Sequence, residues 1–151
     1  METTHTPNYG KFLIPLLICT TIFGIAGGLF PFLFGAIPGG IAGLAVGLWW
    51  HRRMCRRAAG HADPKLIGAG GTLGIVAGLA STLFLHVAVF VGFLCLPGGT
   101  LDLGELPIGA FDYLGIALLF GLPIGAGAGA ILGSIFGVFF QNEYNRSREI
   151  L

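Results

Sequence analysis

The chain has 151 residues and a net charge of +1, and only 10% of its residues are charged. An average soluble domain has roughly 25% charged residues, and the mean hydropathy of this chain is +0.85. A soluble fold of this size would lack the polar side chains needed to cover its surface, so an ordinary soluble domain is excluded. Because backbone groups in lipid must be satisfied within the fold, we expect residues 1–151 to form one all-α transmembrane domain.

Uncharged stretches predict four membrane-spanning helices. The first stretch is about twice the roughly 20 residues that one span needs, so it predicts two helices, at 12–31 and 34–50, with a proline-rich turn between them. Two further uncharged stretches predict helices at 66–96 and 113–140. The glycine and proline content leaves a re-entrant segment open as the alternative to one of these spans.

The basic residues indicate how the predicted helices are oriented. With four spans, all eight lysines and arginines fall on one side of the membrane: Lys11, Arg52, Arg53, Arg56, Arg57, Lys65, Arg146 and Arg148. The predicted outer loop 97–112 is acidic and has no basic residue. Cytoplasmic loops are enriched in lysine and arginine, so we expect the basic loop 51–65 and both termini to be cytoplasmic, in an inner or plasma membrane. The four arginines of that loop are predicted to contact anionic lipid headgroups.

Glycine recurs at every fourth position within the predicted helices. The rows are Gly24 and Gly28; Gly35, Gly39, Gly43 and Gly47; Gly70, Gly74 and Gly78; and Gly121, Gly125, Gly129, Gly133 and Gly137. In a soluble helix, each interior glycine costs about 1 kcal/mol relative to alanine. Lipid provides no hydrophobic drive for helix association, whereas glycine lets two helix backbones approach closely. The rows therefore predict two helical hairpins packed as a glycine zipper through GxxxG contacts.

Two prolines lie at nearly equivalent places in the second and fourth predicted helices. Pro38 is followed by Gly39 and Gly40, and Pro123 lies between Gly121 and Gly125, two residues away on each side. We expect both prolines to interrupt these helices. Interrupted helices in corresponding halves are typical of transporter binding sites, although neighbouring helices could also accommodate simple kinks. The glycines of the second and fourth helices coincide after a shift of 86 residues, and those of the first and third after a shift of 50. These matches leave an internal duplication open.

His86 is the only histidine within the predicted spans, which contain no lysine, arginine, aspartate or glutamate. A titratable residue inside a membrane is a candidate functional residue by default. The sequence leaves three interpretations open for His86. It is a neutral histidine bonded to a neighbouring helix or to interfacial water, a proton or ligand site, or a metal or haem ligand.

No catalytic constellation is visible in the sequence, so we expect no enzyme activity, cofactor or nucleic-acid partner. His51, Cys55 and His61 match no metal-ligand spacing, and no metal site is expected. Two functions remain open. We expect an accessory or self-associating subunit, forming a homo-oligomer or joining a larger complex within the lipid bilayer, because the glycine rows are an explicit contact surface whereas a conduction path is only inferred. The alternative is a small channel or transporter for a neutral or weakly polar solute, built on the interrupted second and fourth helices.

Overall fold

The computed structural model describes residues 7–29, 35–60, 64–95, 100–102 and 107–149. These residues form a short 3-10 helix, Tyr9–Phe12, and four α-helices: α1 Leu13–Leu29, α2 Ala36–Gly60, α3 Leu66–Leu94 and α4 Ala110–Glu149. Two short strands, β1 Thr100–Asp102 and β2 Pro107–Gly109, pair antiparallel with Thr100 opposite Gly109. The predicted all-α fold is confirmed, with this small ribbon between α3 and α4 as its one addition in the described part of the chain.

Two helices extend beyond their predicted bounds. α2 continues to Gly60, so most of the basic segment that was predicted as a loop is helical. Charge marks where an apolar span ends, but arginine, alanine and methionine are good helix formers, so the helix itself need not end there. α4 begins at Ala110, inside the predicted acidic loop, and runs to Glu149. The predicted turn between the first two helices lies outside the described residues.

Three segments are long and apolar enough to cross a membrane: Tyr9–Gly28, Leu66–Gly92 and Phe111–Arg148. Their length and composition are compatible with a membrane location. The sequence predicted four such helices. α2 is not among the three, and its uncharged part ends at His51, just before the first of its arginines.

Large apolar side chains cover the outside of the helices. Ile37, Phe111 and Ile124 are 74%, 77% and 70% exposed, respectively, and many other isoleucine, leucine and phenylalanine side chains are also exposed. A soluble helical bundle turns such side chains inward and places polar residues on its surface. The surface of this protein is therefore suited to contact with lipid tails.

The fully buried large side chains gather at one end of the molecule. They are Met54, Leu66 and Phe140. Trp50 is buried beside them, and its indole Nε1–H donates to the carbonyl oxygen of Gly70 at 3.2 Å. This end comprises the 3-10 helix, the second half of α2, the start of α3 and the last turns of α4, and it contains all eight lysines and arginines. We call it the basic end, and we call the opposite end, where α3 ends and α4 begins, the far end.

Glycines bring the backbones of α1 and α2 into direct contact, and we call this contact the α1–α2 seam. A Cβ atom added to Gly24 would overlap the carbonyl oxygen of Gly39, and one added to Gly28 would overlap that of Gly35. A Cβ atom at Gly43 would overlap the carbonyl oxygen of Thr20. The contacts run backward along α1, from Gly28 to Thr20, and forward along α2, from Gly35 to Gly43. The two helices are therefore antiparallel.

The backbones of α3 and α4 meet in the same way, in what we call the α3–α4 seam. Its backbone pairs are Gly70 with Gly133, Gly74 with Gly129, and Gly78 with Gly125; beyond these pairs, Gly137 meets the backbone of Leu66 and Ile67. An added Cβ at Gly129 would overlap the carbonyl oxygen of Gly74 and lie 3.1 Å from the Cα of Gly78. No side chain larger than hydrogen fits at such a position without moving a helix.

The glycine pairs of the two seams do not keep the residue shifts of the internal duplication that the sequence left open. Gly28 lies against Gly35 in the first hairpin, and Gly78 lies against Gly125 in the second. The α1 and α3 glycines of these pairs are 50 residues apart, but their partners in α2 and α4 are 90 residues apart rather than 86. Matching the two hairpins therefore needs a shift of one further helical turn in α4.

Replacing Gly129 by leucine is expected to destabilise the protein, because the side chain would separate α3 from α4. Overpacking of a tight contact costs about 1–3 kcal/mol or more. Gly127→Leu is the matched control, since a Cβ atom at Gly127 meets nothing within 4 Å. Leucine is the better helix former at both positions, so propensity alone would stabilise both variants. Thermal unfolding in detergent should show a lower midpoint for Gly129→Leu alone, and equal midpoints would contradict the α3–α4 seam.

Candidate functional site

A buried polar pair lies toward the far end of the α3–α4 seam. His86 Nδ1 and the hydroxyl oxygen of Tyr113 are 3.0 Å apart and form a hydrogen bond. The two rings meet edge to face, with centroids 6.0 Å apart, and both residues are 7% exposed. The histidine that the sequence singled out thus has a partner on the neighbouring helix.

Gly121 makes room for this histidine. A Cβ atom at Gly121 would overlap Nε2 of His86 and lie 3.2 Å from Cγ2 of Thr82. At Gly125, the space next to the helix is filled by the hydroxyl group of Thr82. The α3–α4 seam therefore changes along its length. Backbone meets backbone nearer the basic end, whereas threonine and histidine side chains meet glycine toward the far end.

The pair is expected to stabilise the hairpin by a modest coupling energy. His86→Phe and Tyr113→Phe each remove the hydrogen bond between α3 and α4, so the double variant should lose less stability than the sum of the two single variants. Interhelical hydrogen bonds in membranes are worth about 0.6 kcal/mol on average. A double-mutant cycle on the free energy of unfolding isolates this coupling from the other contacts of each ring. Strict additivity would show that the bond contributes nothing.

The basic end contains a second buried polar cluster, centred on Glu143. Its side chain is 5% exposed and forms an ion pair with the ammonium group of Lys11. The other carboxylate oxygen accepts the backbone N–H of Asn8 at 3.2 Å. A buried carboxylate is costly unless it is paired and hydrogen-bonded, and these two contacts meet that need. They fasten the chain before α1 to the last turns of α4.

Aromatic rings surround Phe140 at the basic end. Tyr9 stacks on Phe140 with ring centroids 4.9 Å apart and an interplanar angle of 6°. Trp50 and His51 approach the same ring edge to face, with centroids at 5.7 and 5.6 Å. His51 Nε2 also lies 3.1 Å from the carbonyl oxygen of Tyr9. The 3-10 helix, α2 and α4 are held together around this one ring.

Cys55 lies one helical turn beyond His51, with Sγ 3.7 Å from Nδ1 of the imidazole. Burial raises the pKa of the Cys55 thiol. Such a thiol is a weak nucleophile and a weak metal ligand, because both roles need the thiolate. No group of three or more histidine, cysteine, aspartate or glutamate side chains suited to a metal ion occurs in the described part of the chain. His61 lies outside that part.

The four arginines predicted to meet lipid headgroups are exposed on the second half of α2, which is helical rather than a loop. The guanidinium carbon of Arg53 lies 5.9 Å from the centroid of the Trp49 ring, a distance suited to a cation–π contact. Opposite Arg52 and Arg56 on this helix, Trp50, Met54 and Ala58 are buried. This part of α2 is amphipathic, with a charged face outward.

The helix interruptions predicted at two prolines do not occur. Pro123 lies inside α4, which is one continuous helix around it. Pro38 lies in the first turn of α2, where a backbone N–H would have no helical acceptor in any case. Prolines inside membrane helices are tolerated when neighbouring groups satisfy the freed carbonyl, so a proline in an apolar stretch does not by itself mark a break.

Tyr113 and Glu143, the polar partners in these clusters, were missed by reasoning from sequence. If the glycine rows of α3 and α4 are paired antiparallel, His86 comes to lie opposite the first turns of α4. Tyr113 lies in those turns and has a hydroxyl group that can form a hydrogen bond with the imidazole. No comparable signal links Lys11 to Glu143, which are 132 residues apart.

No protein-family model, curated protein or solved structure matches the chain significantly.

Proposed function

We propose that the protein is a small, non-enzymatic membrane protein with four spans that acts as an accessory or self-associating subunit of a membrane complex. The subunit role rests on the large apolar side chains exposed on the outward faces of the helices, and the fourth span rests on the α1–α2 seam. This seam runs from Gly28 and Gly35 near the far end to Gly47, where an added Cβ would lie 3.1 Å from Cδ2 of Leu17. The uncharged half of α2 thus runs beside α1 over nearly the whole length of α1.

A helix paired side by side with a membrane span occupies the same layer of the bilayer. α1 belongs to a segment that is long and apolar enough to cross, so residues 36–50 of α2 are proposed to cross beside it. At 1.5 Å per residue these 15 residues span about 22 Å, less than the hydrocarbon thickness of about 30 Å. Long arginine side chains at the end of such a helix can reach back to the headgroups, which offsets the shortfall.

The distribution of charge supports cytoplasmic termini. All eight lysines and arginines lie at the basic end, and the first and last described residues of the chain lie there too. Positively charged residues near spans are enriched on the cytoplasmic side. We therefore assign the basic end to the cytoplasm and the β1–β2 ribbon to the opposite side.

The proposed glycine zipper lies inside each hairpin, and this changes the expected partner surface. The sequence favoured a subunit because the glycine rows could serve as a contact surface for another protein. The rows are instead used between α1 and α2 and between α3 and α4. Association would use the outward faces, where side chains such as Leu119 and Ile124, 68% and 70% exposed, can pack against lipid or against apolar helices of other subunits.

The channel or transporter alternative has less support. It depended on interrupted second and fourth helices, and α4 is continuous at Pro123. In the described part of the chain, a groove of about 360 Å³ opens on the surface of the α1–α2 hairpin. It is lined mainly by apolar side chains, including Ile25, Ile37 and Leu44, which suits a lipid tail better than a polar solute.

Single cysteines should establish whether α2 crosses the membrane beside α1. In a background lacking Cys19, Cys55 and Cys95, a membrane-impermeant maleimide should label cysteines at Asn8 and Gly60 from one side and a cysteine at Thr100 from the other. Both α1 and α2 lie between the first two positions, so labelling of both on the same side means an even number of crossings between them. Because α1 belongs to a segment that is long and apolar enough to cross, α2 must then cross as well. Labelling of Asn8→Cys and Gly60→Cys from opposite sides would mean that only one of these helices crosses.

The subunit role is tested by the mass of the particle extracted from its own membrane. The chain has a mass of 15.7 kDa, and native mass spectrometry in mild detergent should find it with further copies or with another membrane protein. A particle with one copy of the chain and no other protein would contradict the proposal. If that single copy also carried a solute across vesicle membranes, the transporter alternative would replace the subunit proposal.

A further inference from the structure

The exposed arginines of α2 continue the face that α2 turns toward lipid. Each residue of an α-helix advances about 100° around the axis, so Arg52, Arg53 and Arg56 fall within an arc of about 100°. Ala45 and Trp49 fall within the same arc, and both are exposed. Lipids whose tails lie against the uncharged part of α2, which precedes Trp49, therefore have their headgroups next to these arginines.

The spacing of the arginines matches the depth of the headgroup layer. From Arg52 to Arg56 the helix rises about 6 Å, and the polar layer on each side of a bilayer is about 5–7 Å thick. Trp49 lies just before them, and tryptophan favours this boundary between tails and headgroups. This placement rests on the proposed span of α2.

The charges of Arg52 and Arg56 are available for a ligand. No salt bridge to either guanidinium occurs among the side chains that the structure describes. Glu143, the acidic side chain buried at the basic end, is already paired with Lys11. Residues four apart on a helix have Cβ atoms about 5–6 Å apart, so two guanidinium groups can hold one phosphate between them by paired hydrogen bonds.

We propose that Arg52 and Arg56 bind the phosphate of an anionic phospholipid in the cytoplasmic leaflet, beside Arg53, which lies over the Trp49 ring. A lipid is favoured over free phosphate because the same helix face is apolar through Ile41 and Ala45 and meets the tails of the same molecule. Arginine rather than lysine suits this role, since its planar group binds phosphate through two hydrogen bonds.

Quenching of Trp49 fluorescence by brominated lipids tests the site in the full chain. The protein is placed in nanodiscs of phosphatidylcholine and phosphatidylglycerol, with bromine on the tails of one lipid or the other. The Trp49→Phe variant retains only Trp50, and its fluorescence is subtracted from that of the parent protein to leave the signal of Trp49. Each basic residue near an anionic surface raises binding about fivefold, so brominated phosphatidylglycerol should quench as if enriched at least fivefold around Trp49. The double variant Arg52→Gln/Arg56→Gln should bring the two lipids to parity.

The control is Arg146→Gln, which removes one positive charge from an exposed position on α4 and should keep the preference. Equal quenching by both lipids in the parent protein, or a preference that survives the double substitution, would overturn the lipid site. Loss of the preference on adding inorganic phosphate, but not sodium chloride of equal ionic strength, would show a free-phosphate site instead. If neither lipid quenched Trp49, α2 would lie outside the bilayer, and the four-span proposal would fail rather than the site alone.

Discussion

Direct contact between glycine backbones is the constraint on which the rest of this fold depends. At Gly74 and Gly129, as at Gly24 and Gly39, the carbonyl oxygen of one helix occupies the space that a side chain would need on the other. Such contacts leave little freedom in distance or register, because a shift along the helix would press a larger residue against the backbone. A bilayer provides no hydrophobic gain from burying leucine between helices, so close backbone packing is an effective way to hold a hairpin together there.

The placement of the large side chains follows from these contacts. With glycine on the inner faces, isoleucine and phenylalanine are turned outward along α1, α3 and α4. Large side chains are buried where the helices reach the basic end, and there Phe140 and Trp50 fill the space between α2, α4 and the 3-10 helix. The molecule thus combines an apolar part packed through glycine with a conventional aromatic core at the basic end. The buried ion pair of Glu143 belongs to the basic end.

Much of the fold was predictable from periodicity and charge, and the parts that were not have physical reasons. The helical class follows from the low charge content and the long uncharged stretches, and the four-residue spacing singled out the glycines that line the two seams. The extension of α2 through Arg57 was missed because charge ends an apolar span without ending a helix. The expected break at Pro123 was wrong because helix continuity depends on neighbours that the sequence does not reveal. His86 was identifiable as the histidine of an apolar stretch, but its bond to Tyr113 follows from the antiparallel register, which needs both glycine rows together.

Interhelical contacts between glycines, observed in a lipid bilayer, test this account most directly. Solid-state NMR on protein carrying ¹³C-labelled glycine, assigned with single glycine substitutions, should show through-space cross peaks between Gly74 and Gly129 and between Gly24 and Gly39. Gly127 and Gly92, where an added Cβ meets nothing within 4 Å, should give no such peaks to another helix. Absence of the Gly74–Gly129 contact, with both helices still formed, would contradict the claim that backbone packing holds the hairpins together.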